Sequence, residues 1–85
     1  MAPMSNTDLA QVLFTTRLQA SDRATDEQVR TAITERLRAC HGDRRACAAL
    51  VAQEAGDHPE TYAPRMRWAL ATVARACGVT RLAAA

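Results

Sequence analysis

The sequence predicts an all-α fold, a compact four-helix domain with a tight corner between its third and fourth helices, and three observations carry that prediction. Apolar residues recur at spacings of three and four along four separate segments. Polar residues able to cap a helix, and glycines able to end one, punctuate those segments. No stretch shows the period-two alternation of a half-buried strand, and no internal repeat is visible.

Residues 1–6 carry a proline and no apolar period, so order is expected to begin near Asn6 and to extend to about residue 78 of a single domain spanning 1–85. The first helix has Ser5 or Asn6 as its cap and Asp8 in its first turn. Leu9, Val12, Leu13, Thr16 and Ala20 form its apolar face, widened by Phe14 and Leu18. It is expected to run to about Ala20, with Ser21–Ala24 as a polar connection. Thr25 and Gln28 form a capping box for the second helix, with Asp26 and Glu27 near the positive end of its dipole. Its stripe is Val29, Ala32, Ile33, Leu37 and Cys40, and Gly42 is placed to stop it. Asp43 is the expected cap of the third helix, whose apolar positions are Cys47, Leu50, Val51 and Ala55, with Gly56 in a left-handed conformation at its end. Asp57 and Glu60 then form another capping box, with Pro59 tolerated in the first turn. The fourth helix carries Tyr62, Met66, Leu70, Val73 and Cys77 on one face and closes at Gly78. Pro64 is discordant within it, at a cost of ~3 kcal/mol in a helix interior. Either residues 58–62 form a separate turn, or the helix is kinked. The tail Thr80–Ala85 is given no role in the fold.

At 85 residues a folded chain hides only about 60% of the surface its unfolded form exposes. Many of the apolar residues are alanines, and Phe14, Tyr62 and Trp68 are the only aromatics. Such a thin core predicts packing against a second copy or another partner, with Trp68 or the Leu9/Phe14 side of the first helix at the contact. All eleven basic residues are arginine, which reads first as codon bias of a genome rich in GC. A net charge of +2 neither implies nor excludes nucleic acid, whose binders concentrate a basic face. No apolar run approaches the ~20 residues that cross a bilayer, and residues 1–4 lack the features of a signal peptide, so a cytoplasmic location is expected. An odd count of three cysteines favours thiols over a disulfide framework.

Val51–Gly56 followed by Pro59-Glu60-Thr61-Tyr62 resembles the helix-turn-helix families of bacterial regulators, over about sixteen residues from Val51 to Met66. The resemblance implies that Ala52 permits close helix packing, Gly56 makes the turn and Tyr62 is a buried anchor. It further implies that His58, Glu60, Ala63 and Arg67 face the DNA groove, with Arg44, Arg45 and Arg65 nearby for phosphates. The segment departs from the pattern at Asp57 and Arg65, both at usually apolar places, and at Pro64 within the reading helix. The whole chain also resembles short helical proteins of unknown function from actinobacterial genomes, which implies a setting and no activity.

Other chemistry is harder to place. Cys40, His41, Cys47, His58 and Cys77 are the right residue types for zinc, but no two ligands have knuckle spacing and all three cysteines fall on apolar stripes, so no metal or other cofactor is expected. A disulfide between Cys40 and Cys47 is geometrically thinkable, though disfavoured in a reducing compartment. No nucleophile–base arrangement, glycine-rich phosphate loop or paired carboxylates point to an enzyme or a small-molecule substrate. Arg65, Arg67, Trp68 and Arg75 lie off the stripe of the fourth helix and suggest a contact patch. The reading with most support at this level is a small, non-enzymatic DNA-binding regulator, dimeric, using Arg44, Arg45, His58, Arg65 and Arg67 on DNA and Trp68 and Phe14 at an interface. The alternative is a helical protein-interaction module with no nucleic-acid role.

Overall fold

Ser5 caps the first helix: its hydroxyl accepts the Asp8 amide at 3.1 Å while the Asp8 carboxylate accepts the Ser5 amide at 3.1 Å. The computed structural model describes residues 5–40 and 44–77. Among them are four helices, α1 (Asn6–Phe14), α2 (Asp26–Ala39), α3 (Arg44–Asp57) and α4 (Pro59–Ala76), with one 3-10 turn at Ala20–Asp22 and no strand. The protein is an all-α, four-helix domain. No helix among the described residues is long and apolar enough to cross a membrane.

The shortest helix is the central one. α1 packs on α4, α3 and α2 in decreasing extent, and its Ala10, Val12 and Leu13 are fully buried. Around them lie Val29 and Ile33 of α2, Cys47 of α3, and Ala69, Val73 and Ala76 of α4. Phe14 adds a tilted ring contact with Tyr62, centroids 5.6 Å apart, of a kind worth about 0.5–1.5 kcal/mol beyond area burial.

α1 is shorter than its apolar pattern predicts. The hydroxyls of Thr15 and Thr16 donate back to the Val12 and Leu13 carbonyls, each at 2.7 Å. Such local bonds compete with continuation of the helix. The chain then turns through Gln19, whose amide donates to the Asp22 carboxylate, and reverses at Arg23, a non-glycine residue in the left-handed region with φ of 50°. The start of α2 matches its sequence signature: the Gln28 amide donates to the Thr25 hydroxyl and the Thr25 amide to the Gln28 side chain, at 3.1 and 2.8 Å.

The α3–α4 corner exists but is built differently from the expectation. Gly56 does not take a left-handed turn. It lies within α3, exposed, with nothing within 4 Å of where a Cβ would stand. His58 makes the corner alone: its amide donates to Glu54 at 2.8 Å, closing α3, and its carbonyl accepts from Thr61 and Tyr62, opening α4. Asp57 is the last residue of α3, so the Asp57–Glu60 box is not formed; the cap residue is His58, without a side-chain bond. α4 is a single continuous helix through Pro64. Pro64, and Glu60 whose carbonyl loses its helical donor to it, are both exposed residues. The buried face of α4 is Ala69, Thr72, Val73 and Ala76, and Leu70, expected inside, is 38% exposed; Leu50 of α3 is 46% exposed. Gly42, Asp43 and Gly78, expected to bound helices, lie outside the described residues.

Two stability measurements check these helix ends. Gly56→Ala should stabilise the domain by a few tenths of a kcal/mol, up to about 0.5, because alanine removes the backbone entropy of a glycine in the last turn of α3 and meets no neighbour; a loss of stability in urea unfolding would restore the left-handed turn. Thr25→Ala should cost about 0.5–2 kcal/mol through the lost cap, and a neutral melting curve would move the start of α2.

Candidate functional site

The end of α1 leaves carbonyls with no partner inside the helix, and α4 supplies one. Arg65 donates Nε and Nη2 to the Phe14 carbonyl at 3.1 and 2.9 Å, and Nη2 to the Thr16 carbonyl at 2.9 Å. Its guanidinium also lies 5.3 Å from the Phe14 ring centroid and 5.0 Å from that of Trp68, within the range of cation–π attraction. Burial lowers the Arg65 pKa from its usual value, yet a guanidinium remains cationic at neutral pH. Arg65 is therefore a structural clamp: its Nε and Nη2 donors, expected from the sequence to serve DNA phosphate, serve the Phe14 and Thr16 carbonyls here.

Beside the clamp runs a groove of about 790 Å³ between the 16–20 segment and α4. Pro64, Arg65 and Trp68 form one wall, and Thr16, Arg17, Gln19 and Ala20 the other, with Glu60 and Thr61 at one end. A smaller hollow of about 440 Å³ adjoins it, sharing Ala20 and Trp68 and reaching Ala71 and Arg75. Trp68 is partly exposed and stands between the two. The larger volume lies within the ~300–1,000 Å³ range of ligand sites. Sequence reading picked out Trp68, but it missed the opposite wall by placing residues 16–20 inside a helix. The Thr15-Thr16 pair was the available signal.

The remaining predicted positions are dispersed. Arg45 is exposed near the start of α3, His58 is exposed at the corner, and Arg67 is exposed on α4. The side chain of Arg44, like His41, lies outside the described residues. Arg45 and His58 are separated by thirteen positions, about 20 Å along a helix at about 1.5 Å per residue. The corner itself carries Glu54, Asp57 and Glu60 and has no arginine between Arg45 and Arg65; His58 Nδ1 lies 3.9 Å from a Glu60 oxygen. Phe14, predicted at an interface, is 6% exposed. Its ring lies against Tyr62 and the Arg65 guanidinium inside the fold.

Other arginines are also engaged internally. Arg30 donates to the Ala76 carbonyl at 2.9 Å, Arg36 to the Thr15 hydroxyl at 3.1 Å, and Arg75 to the Asp26 carboxylate at 2.8 Å. Among the described residues, no group of three His, Cys, Asp or Glu side chains is arranged to hold a metal ion, and no buried side-chain nitrogen or oxygen lacks a hydrogen-bond partner. No protein-family model matches the chain, and neither a curated protein nor a solved structure matches it.

Arg65→Lys should destabilise the domain by about 1–3 kcal/mol, because an ammonium cannot reproduce the planar fork and leaves a carbonyl at the end of α1 without its donor. Unfolding in urea reads the loss. A lysine variant as stable as the parent would return Arg65 to the surface.

Proposed function

We propose that the domain is a non-enzymatic protein-interaction module that takes a short segment of a protein partner into the groove beside Trp68. The observation that carries this reading is the Trp68 ring itself, stacked on the Arg65 guanidinium at 5.0 Å and partly exposed between two adjoining hollows. A tryptophan already ordered by its neighbour loses little freedom on binding, and tryptophan and arginine are enriched among residues that dominate interface energetics. The segment suited to the groove places an apolar side chain against Trp68, Pro64 and Ala20, with a carboxylate beside it for the exposed Arg17.

Duplex DNA has less support. Arg45, His58 and Arg67 are exposed, but the acidic corner between them would face phosphate and be repelled. Arg65, the arginine closest to the corner on the fourth helix, is held by Phe14 and Thr16.

Panning a displayed peptide library on the folded domain tests the proposal. Enriched peptides should combine an apolar residue with an acidic neighbour. Their affinity should fall by about tenfold or more for Trp68→Ala, corresponding to about 1.4 kcal/mol or more. Ala20→Glu should weaken them as well, since it fills the groove from an exposed position without touching the core. Arg67→Ala should leave them bound. Sedimentation in which the parent dimerises and Ala20→Glu does not would identify the partner as a second copy. Retardation of random duplexes at low salt, lost in Arg67→Ala and kept in Ala20→Glu, would replace this reading with DNA binding.

A further inference from the structure

Cys40 ends α2 and Cys47 sits in the first turns of α3, and their sulfur atoms lie 3.0 Å apart. Neither is in a disulfide. An S–S bond is about 2.0 Å long, so about 1 Å of approach would join them. The two thiols differ in access: Cys47 is fully buried, whereas Cys40 is partly exposed and packs against the edge of the core. α3 is also held by few buried side chains, with Cys47 and Val51 its only buried hydrophobic residues among those described, and it packs on α1 and α4. The sulfur contact ties it to α2.

We propose that Cys40 and Cys47 form a peroxide-sensitive dithiol that closes to a reversible disulfide across the α2–α3 junction. The accessible Cys40, as thiolate, attacks one oxygen of hydrogen peroxide. The O–O bond breaks, Cys40 becomes a sulfenic acid, and the departing hydroxide takes a proton to give water. The Cys47 sulfur then attacks the Cys40 sulfur; the S–S bond forms, the S–O bond breaks, and the hydroxide leaves as water with the Cys47 proton. Two thiols lose two electrons, and one peroxide is reduced to two waters. A dithiol reductant reverses the bond by exchange. Cys77 is the odd member. Burial raises the pKa of its thiol, with the Asp26 charge adding to the effect and the Arg30 charge opposing it, so it is a poor nucleophile at neutral pH.

The covalent link changes the mobility of α3. In the thiol form, a helix with so little buried surface opens locally ahead of the rest of the fold. In the disulfide form its first turns are fastened to α2, and amide exchange along α3 slows.

The test uses the full chain, treated with a small excess of hydrogen peroxide, alkylated, and digested without reductant. Trypsin cleaves after Arg38, Arg44 and Arg45 and so places Cys40 and Cys47 on different peptides. The expected product is those two peptides joined, with Cys77 alkylated, the link lost on addition of dithiothreitol, and several-fold slower amide exchange in α3. In Cys47→Ser, dimedone should capture a sulfenic acid at Cys40; in Cys40→Ser, the buried Cys47 should remain a thiol at the same dose. Parent protein unfolded in urea should spread its oxidation over all three cysteines. Three alkylated thiols after treatment of the folded parent, or a link that includes Cys77 or joins two chains, would overturn the proposal. The parent's peptide map decides this even if a serine variant fails to fold.

Discussion

The hydrogen bonds from Arg65 to the carbonyls of Phe14 and Thr16 connect the two helices with the most extensive mutual packing. They also determine what the rest of α4 can do. A helix presents one face at spacings of three and four, so once Arg65 points at the end of α1, Ala69, Thr72, Val73 and Ala76 must turn inward with it. All four are buried. The guanidinium brings positive charge to the negative end of the α1 dipole, and it satisfies carbonyls that would otherwise end a nine-residue helix in the middle of the domain.

The same chemistry recurs at smaller scale. Arg30 closes α4 at Ala76, Arg36 reaches the threonine that ends α1, and Arg75 reaches the first turn of α2. The Arg75–Asp26 pair is exposed on both sides and worth little, at most about 1 kcal/mol. The contacts to carbonyls matter more, because the alternative is a polar group without a donor. A chain of small side chains thus compensates for a thin core by tying helix ends together, and arginines that read from composition first as codon bias are partly used within the fold.

Legibility in the sequence followed the range of the interactions. The Thr25–Gln28 box was readable because its partners lie three residues apart, and the cap of α1 was narrowed to Ser5 or Asn6, of which Ser5 is the one used. The end of α1 was not readable, since it depends on Arg65, 51 residues from Phe14, and on hydroxyls whose preference for back-bonding opposed a strong apolar pattern. Gly56 misled for the opposite reason. Glycine permits a left-handed turn without requiring one, and here α3 runs one residue past it to Asp57. Leu70 was placed inside on hydrophobicity, but Ala69 occupies the core because the phase of α4 is set by Arg65. For the site, Trp68 was recognisable by type, whereas its groove depended on the unforeseen path of residues 16–20.

The single non-helical residue between α3 and α4 limits how this chain can change length. One residue added at His58 would advance α4 by about 100° about its axis, swinging Arg65 away from α1 and replacing a face of alanines with one containing Leu70. The segment from residue 15 to residue 25 imposes no such phase on α2, which begins from its own local cap. Insertions and deletions should therefore be tolerated in variants of this domain before α2 and excluded at residue 58, so the corner acts as a length gauge for the whole fold.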